Sequence, residues 1–180
     1  MKTIIIIVAL TAIALVGFGA AYAMINATVT APSSGTTTSV DPNALTATIS
    51  GEINFPGTYV LKSGATMLDL INAAQGTNGN ADSLAFNTDY VLENKGAYYI
   101  APLYDNSNTC SASPIVKTNI NSDDADTLQS VAGFTKTVAN AIVSYRSAGQ
   151  FKAIEEIKNV SGIGAATYEK VKMKITLRSA

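Results

Sequence analysis

The sequence predicts an α+β protein in three parts: an N-terminal transmembrane helix, a small mixed module of strands and one helix, and an all-α module. Three observations carry this. Residues 4–25 are uncharged and mostly apolar, residues 46–104 alternate with period two around one amphipathic stretch, and residues 117–180 keep a helical period around two glycine-centred turns. The corresponding boundaries are 1–25 for a transmembrane anchor or signal peptide, 26–45 for a linker, 46–104 for the mixed module, 105–116 for a second linker and 117–180 for the helical module.

The first segment, "MKTIIIIVALTAIALVGFGAAYAMINA", carries one charge, Lys2. As a helix, the stretch from Ile4 to Ile25 would measure roughly 33 Å at about 1.5 Å per residue, enough for a hydrocarbon core of about 30 Å. Ala21-Tyr22-Ala23 also reads as a small-x-small cleavage site, so a signal peptide competes; an apolar stretch this long favours the uncleaved anchor. Either way the rest of the chain is exported. Lys2 precedes the stretch and the next cation is Lys62, which places the N-terminus in the cytoplasm and residues beyond about 26 outside the cell membrane.

Charge is unevenly divided. The chain has a formal net charge of -1, but residues 26–116 carry 2 Lys/Arg against 7 Asp/Glu, whereas residues 117–180 carry 9 against 6. An anionic partner therefore belongs with the C-terminal module. The absence of histidine removes the usual general base and metal ligand, and the single cysteine, Cys110, permits neither an intramolecular disulfide nor a multi-thiolate zinc site. No cofactor and no catalytic constellation are expected, because the plentiful Ser and Asp have no histidine to work with.

After the Ser/Thr/Pro/Gly-rich linker, "TATISGEI" places Ala47, Ile49, Gly51 and Ile53 on one strand face. "NFPG" supplies a tight turn, and "TYVL" the returning strand of a hairpin. In "KSGATMLDLINAA", Thr66 and Asp69 have capping-box spacing and Met67, Leu70, Ile71 and Ala74 recur at helical intervals. "DYVLENKGAYYIAP" reads as two further short strands about Lys95-Gly96, with Tyr98 and Tyr99 exposed for a glycan or an interface. The stretches "SGEINFPGTYVLKSGATMLDLINAAQG" and "AYYIAP" resemble the SLBB module, a small β-grasp domain. That resemblance implies either a soluble ligand or self-association; with no convergent charged pocket in the sequence, a scaffold or self-association unit is expected.

Beyond the second linker, "SDDADTLQSV" starts a helix whose Ser/Asp cluster suits the positive end of the helix dipole. Val138, Ile142 and Tyr145 stripe a second helix, Ile154, Ile157 and Val160 a third, and Tyr168, Val171 and Ile175 a fourth. Between the first and second lies "VAGFTKT", and between the third and fourth "VSGIGAAT". The halves repeat one another, and neither buries its stripe alone. With "NINS", "TLQSVAG", "ANAIVSYR", "GQF" and "VSGIG" in order, residues 117–176 resemble the tandem helix-hairpin-helix domain of the ComEA family of competence DNA receptors. The order of modules behind a membrane segment is similar to its Gram-positive members.

The resemblance implies an exported, membrane-anchored receptor that binds double-stranded DNA without regard to sequence, for uptake in natural transformation. Its implied partners are the DNA, the membrane, a DNA-uptake channel and pilus proteins. A helix N-terminus presents unpaired amides and a positive dipole end, and glycine lets a phosphate approach closely. The candidate DNA-binding residues are therefore Gly162, Ile163, Gly164, Ala165, Ala166, Thr167, Lys170 and Lys174 around the second hairpin, and Gly133, Phe134, Thr135 and Lys136 around the first. Ile163 is expected to plug the core. On a helical wheel Thr167, Lys170 and Lys174 form one edge.

Two departures from the family pattern stand out. Thr135 occupies the place of a second glycine, and Val138 and Ala166 the places of lysines, so the second hairpin is expected to dominate. A structural alternative keeps the fold as an envelope scaffold or adhesion protein without DNA. A nuclease would need clustered carboxylates for a metal, and the only dense group, Asp123, Asp124 and Asp126, is explained by the helix start it occupies.

Overall fold

A computed structural model describes residues 42–106 and 113–179. The expected membrane segment, most of the first linker and Cys110 lie outside the described residues. Among the described residues no helix is long and apolar enough to cross a membrane.

Period-two patterning sets strand β1 (Leu45–Gly51), which buries Leu45, Ala47 and Ile49 and turns Ser50 out. It pairs antiparallel with β2 (Gly57–Leu61), Ala47 opposite Tyr59, and the Thr48 and Thr58 hydroxyls meet at 2.8 Å on the outer face. Helix α1 (Met67–Ala73) begins at a capping box: the Thr66 amide donates to Asp69 Oδ2 at 2.9 Å, and the Asp69 amide donates back to the Thr66 hydroxyl. Met67, Leu70 and Ile71 pack under the sheet. Strand β3 (Gly96–Ile100) lies parallel to β1, giving the order β2-β1-β3.

Two expectations for this module fail. The stretch before Lys95 is not a strand, because only Val91 forms a bridge, to Thr66, before the chain turns through Lys95 at φ 64. Tyr98 and Tyr99 are not exposed. Tyr98 is buried in the sheet's own core, its hydroxyl oxygen accepting from the Glu93 amide at 2.8 Å, and Tyr99 is half-buried against the core of the second module.

Short strands β4 (Tyr104–Asp105) and β5 (Ser113–Pro114) pair antiparallel and lead to β6 (Thr118–Asn119). The second module then contains α2 (Ala125–Thr127), which widens into a π-helical turn over Leu128–Ala132, and α3 (Lys136–Ala148). A 3₁₀ helix (Ile154–Asn159), α4 (Ala165–Val171) and β7 (Ile175–Thr176) complete it. Ile120, Leu128, Ile142, Ile154, Ile157 and Ile175 are fully buried at its centre.

This module is not all-α. The third expected helix is a 3₁₀ helix, and the fourth stops at Val171, so Ile175 belongs to a strand. Strand β7 runs parallel to β6, with the Thr118 amide donating to the Lys174 carbonyl and the Ile120 amide to Thr176, which closes the module end to end.

The described residues form one compact unit with two hydrophobic clusters. Lys117 pairs with Asp82, both nearly buried, and the Leu177 amide donates to the Leu84 carbonyl at 2.9 Å. The Arg178 guanidinium donates to the carbonyls of Ser83 and Phe86. A buried ion pair contributes little net stability against its desolvation, so these backbone bonds and the Tyr99 packing carry most of the join.

Candidate nucleic-acid interface

The second hairpin is built from a glycine, a plug and a second glycine. Past the 3₁₀ helix the chain turns through Gly162 at φ +90, a region in which a side chain is strained. Ile163 then points inward and is 4% exposed, its amide donating to the Val160 carbonyl at 3.1 Å. Gly164 is extended, φ -91 and ψ 178, and stands as the N-cap of α4 with no side chain to cap it. The amides of Thr167 and Tyr168 close onto the Gly164 carbonyl at 3.1 and 3.0 Å. Ala165 and Ala166 are exposed in the first turn, where helix geometry leaves amides without an intrahelical acceptor. A Cβ on Gly164 would meet nothing within 4 Å, so the approach to those amides is open.

The first hairpin repeats this plan with one change. Gly133 turns the chain at φ +82, and Phe134 is the buried plug. Thr135, however, is the N-cap of α3, and its hydroxyl accepts from the Val138 amide at 3.4 Å. The threonine therefore occupies its own helix start. It caps the Val138 amide at the helix start, and its side chain stands where an incoming phosphate would approach. Lys136 follows, exposed in the first turn of α3.

The two hairpins are neighbours. A Cβ on Gly162 would stand 3.1 Å from Val138 Cγ2, which puts the second turn against the start of α3. Gly162→Ala combines that crowding with a positive φ, and should destabilise the chain by about 1–2 kcal/mol, read by thermal or denaturant unfolding.

The cations divide into engaged and exposed ones. Lys172 pairs with Glu169 and stands 4.3 Å over the Tyr99 ring, and Lys158 stands 5.0 Å over the Tyr168 ring. Arg146 donates to the carbonyls of Ile120 and Ser122. Lys170 is exposed in the last turn of α4, and Thr167 is half-buried one turn earlier. Lys174 is exposed too, but the helical-wheel edge that joined it to Thr167 and Lys170 does not exist. Helix α4 ends before it, and its amide turns back to the Val171 carbonyl at 2.7 Å.

The three clustered aspartates have structural partners. Asp123 accepts from the Thr118 hydroxyl and the Asn119 amide, Asp124 caps α2 through the Thr127 amide, and Asp126 accepts from Gln129. Helix-capping amides hold the Asp124 carboxyl below the usual range. Among the described residues no group of three or more Asp, Glu, Cys or His is arranged to hold a metal ion.

Two residues escaped the sequence reading. Asn121, inside "NINS", donates to the carbonyls of Phe151 and Leu177 and accepts from the Phe151 amide, clasping three segments. Glu155 is buried, and its Oε1 accepts from both the Tyr99 amide at 2.8 Å and the Tyr168 hydroxyl at 3.0 Å. Burial pushes the Glu155 carboxyl up, against the opposing pull of the Tyr99 amide and the Tyr168 hydroxyl. The Tyr168 phenol is likewise raised, by burial and then by the Glu155 charge. The only sequence signal for Glu155 was its place between Ile154 and Ile157, shared with Glu156.

The helix-hairpin-helix motif family matches residues 113–176. ComE operon protein 1 of Bacillus subtilis (strain 168) is 31% identical over 140 residues, covering 72% of this chain and 68% of that protein. The endonuclease/exonuclease/phosphatase family domain-containing protein 1 of Xenopus laevis is 44% identical over 62 residues, and the Homo sapiens protein of that name 42%. Those matches cover 34% of this chain and 11% of either protein.

Proposed function

Because the chain belongs to the ComEA family of competence DNA receptors, we propose that it holds double-stranded DNA outside the membrane through backbone contacts made chiefly by its second hairpin. The N-terminal segment anchors it, and the captured duplex passes to an uptake channel. The observation that carries this reading is the pair of adjacent plugged hairpins, one closed by Thr135 and one left uncapped at Gly164. A phosphate oxygen satisfies the exposed amides of Ala165 and Ala166, the Thr167 hydroxyl adds a donor, and Lys170 adds charge one turn along. None of these groups reads a base edge. Binding is therefore indifferent to sequence.

Titration of the full chain with unrelated duplexes at several salt concentrations tests this. Similar affinities are expected for every duplex, with a log-log salt slope of about -0.9 per phosphate neutralised. Lys170→Glu should weaken all of them alike. No binding at low salt leaves the protein as an envelope scaffold, and a strong preference for one duplex overturns the backbone mechanism.

A further inference from the structure

We propose that Glu155 is a positioning residue for the DNA-binding face, fixing the second hairpin to the edge of the β2-β1-β3 sheet. Its place in the fold follows from three hydrogen bonds in series. The Tyr168 amide donates to the Gly164 carbonyl at 3.0 Å, closing the turn that presents Ala165 and Ala166. The hydroxyl of the same tyrosine donates to Glu155 Oε1, and that oxygen also accepts the Tyr99 amide of β3. The hairpin is thus two side chains away from the sheet. Strand β3 is the sheet's outer strand on this side, and the Glu155 carboxylate takes the place a further strand's carbonyl would have there.

The link is needed because α4 has seven residues, too few to hold its own shape without tertiary support. Tyr99 supports it twice. Its amide meets Glu155, and its ring lies under Lys172 at the far end of α4. A buried carboxylate is costly unless its bonds are filled, and here both donors converge on one oxygen. That arrangement specifies an orientation more than it adds stability. The module that would bear a ligand or a second copy therefore sets where the DNA-contacting amides point.

The effect on affinity rests on the reading that the second hairpin touches DNA; the link itself does not. The test uses the full chain and two readouts, duplex affinity at low salt and hydrogen exchange of the Tyr99 amide. Glu155→Ala is expected to speed exchange at Tyr99 at least about tenfold and to lower affinity about fivefold. Glu155→Gln keeps an oxygen where both donors converge and should restore both readouts to within about twofold of the native chain. Tyr168→Phe leaves the ring in the core and removes only its donor; affinity should fall while Tyr99 stays protected. Native affinity in Glu155→Ala or Tyr168→Phe overturns the proposal, as does a glutamine variant as impaired as the alanine one. If the native chain binds no duplex, the hairpin reading fails and the affinity effect with it, while Tyr99 exchange in Glu155→Ala still decides whether Glu155 holds the sheet.

Discussion

Gly164→Asp should make the protein slightly more stable and weaken its hold on duplex DNA at least about tenfold, the loss of one charge-assisted contact made worse by repulsion. Both effects come from the same helix start. Gly164 is extended, with a φ open to any residue, and a side chain there meets nothing within 4 Å. An aspartate at that N-cap accepts from the first turn of α4 and faces the positive end of its dipole, a gain of about 0.5 kcal/mol. It also fills the position of the phosphate with a like charge. The first hairpin already shows the milder form of this change, since Thr135 caps α3 with its own hydroxyl. Opposite movement of melting temperature and affinity would separate an anion cradle from a turn. A stable Gly164→Asp protein with native affinity would show the hairpin to be only a turn.

Ile163→Ala is expected to cost about 3 kcal/mol, lowering the melting temperature of a chain this size by about 6–12 °C. The plug is 4% exposed and belongs to the cluster that includes Ile157, Val160, Tyr168 and Val171. Removing three carbons there loses apolar burial and leaves a cavity that the 3₁₀ helix and α4 cannot both close. Affinity should fall as well, because Ile163 sits between the two glycines whose backbone sets the direction of the exposed amides. Urea unfolding would read the first effect and duplex titration at a temperature well below melting the second. A cost under about 1 kcal/mol would mean that the plug is not packed as the structure places it.

The parts of this protein legible in its sequence are those fixed by neighbours a few residues apart. The Thr66 and Asp69 capping box involves one turn of chain, and each glycine-plug pair, Gly133 with Phe134 and Gly162 with Ile163, is set by adjacent residues. What escaped depends on distant partners. Ile175 stands at helical spacing from Val171, yet it is a strand residue because Thr118, far back in the chain, is there to pair with it. Alternation marks one face of β3 as outward, but cannot say whether water or a second module lies beyond it, so Tyr99 read as exposed. The same limit hid Glu155. Two adjacent glutamates carry identical local signals, and only the approach of Tyr99 and Tyr168 makes one of them a buried acceptor. Lys174 shows the opposite case, a local helical period that tertiary pairing cuts short before it.

Amide chemical-shift mapping of the full chain during addition of two unrelated duplexes at low salt tests the central claim most directly. The largest shifts are expected at the amides of Ala165, Ala166 and Thr167, with Lys170 next, the same set for both duplexes and absent in Gly164→Asp. Largest shifts elsewhere, on the β2-β1-β3 sheet or around α2, with the Ala165 and Ala166 amides unmoved at saturation, would contradict it.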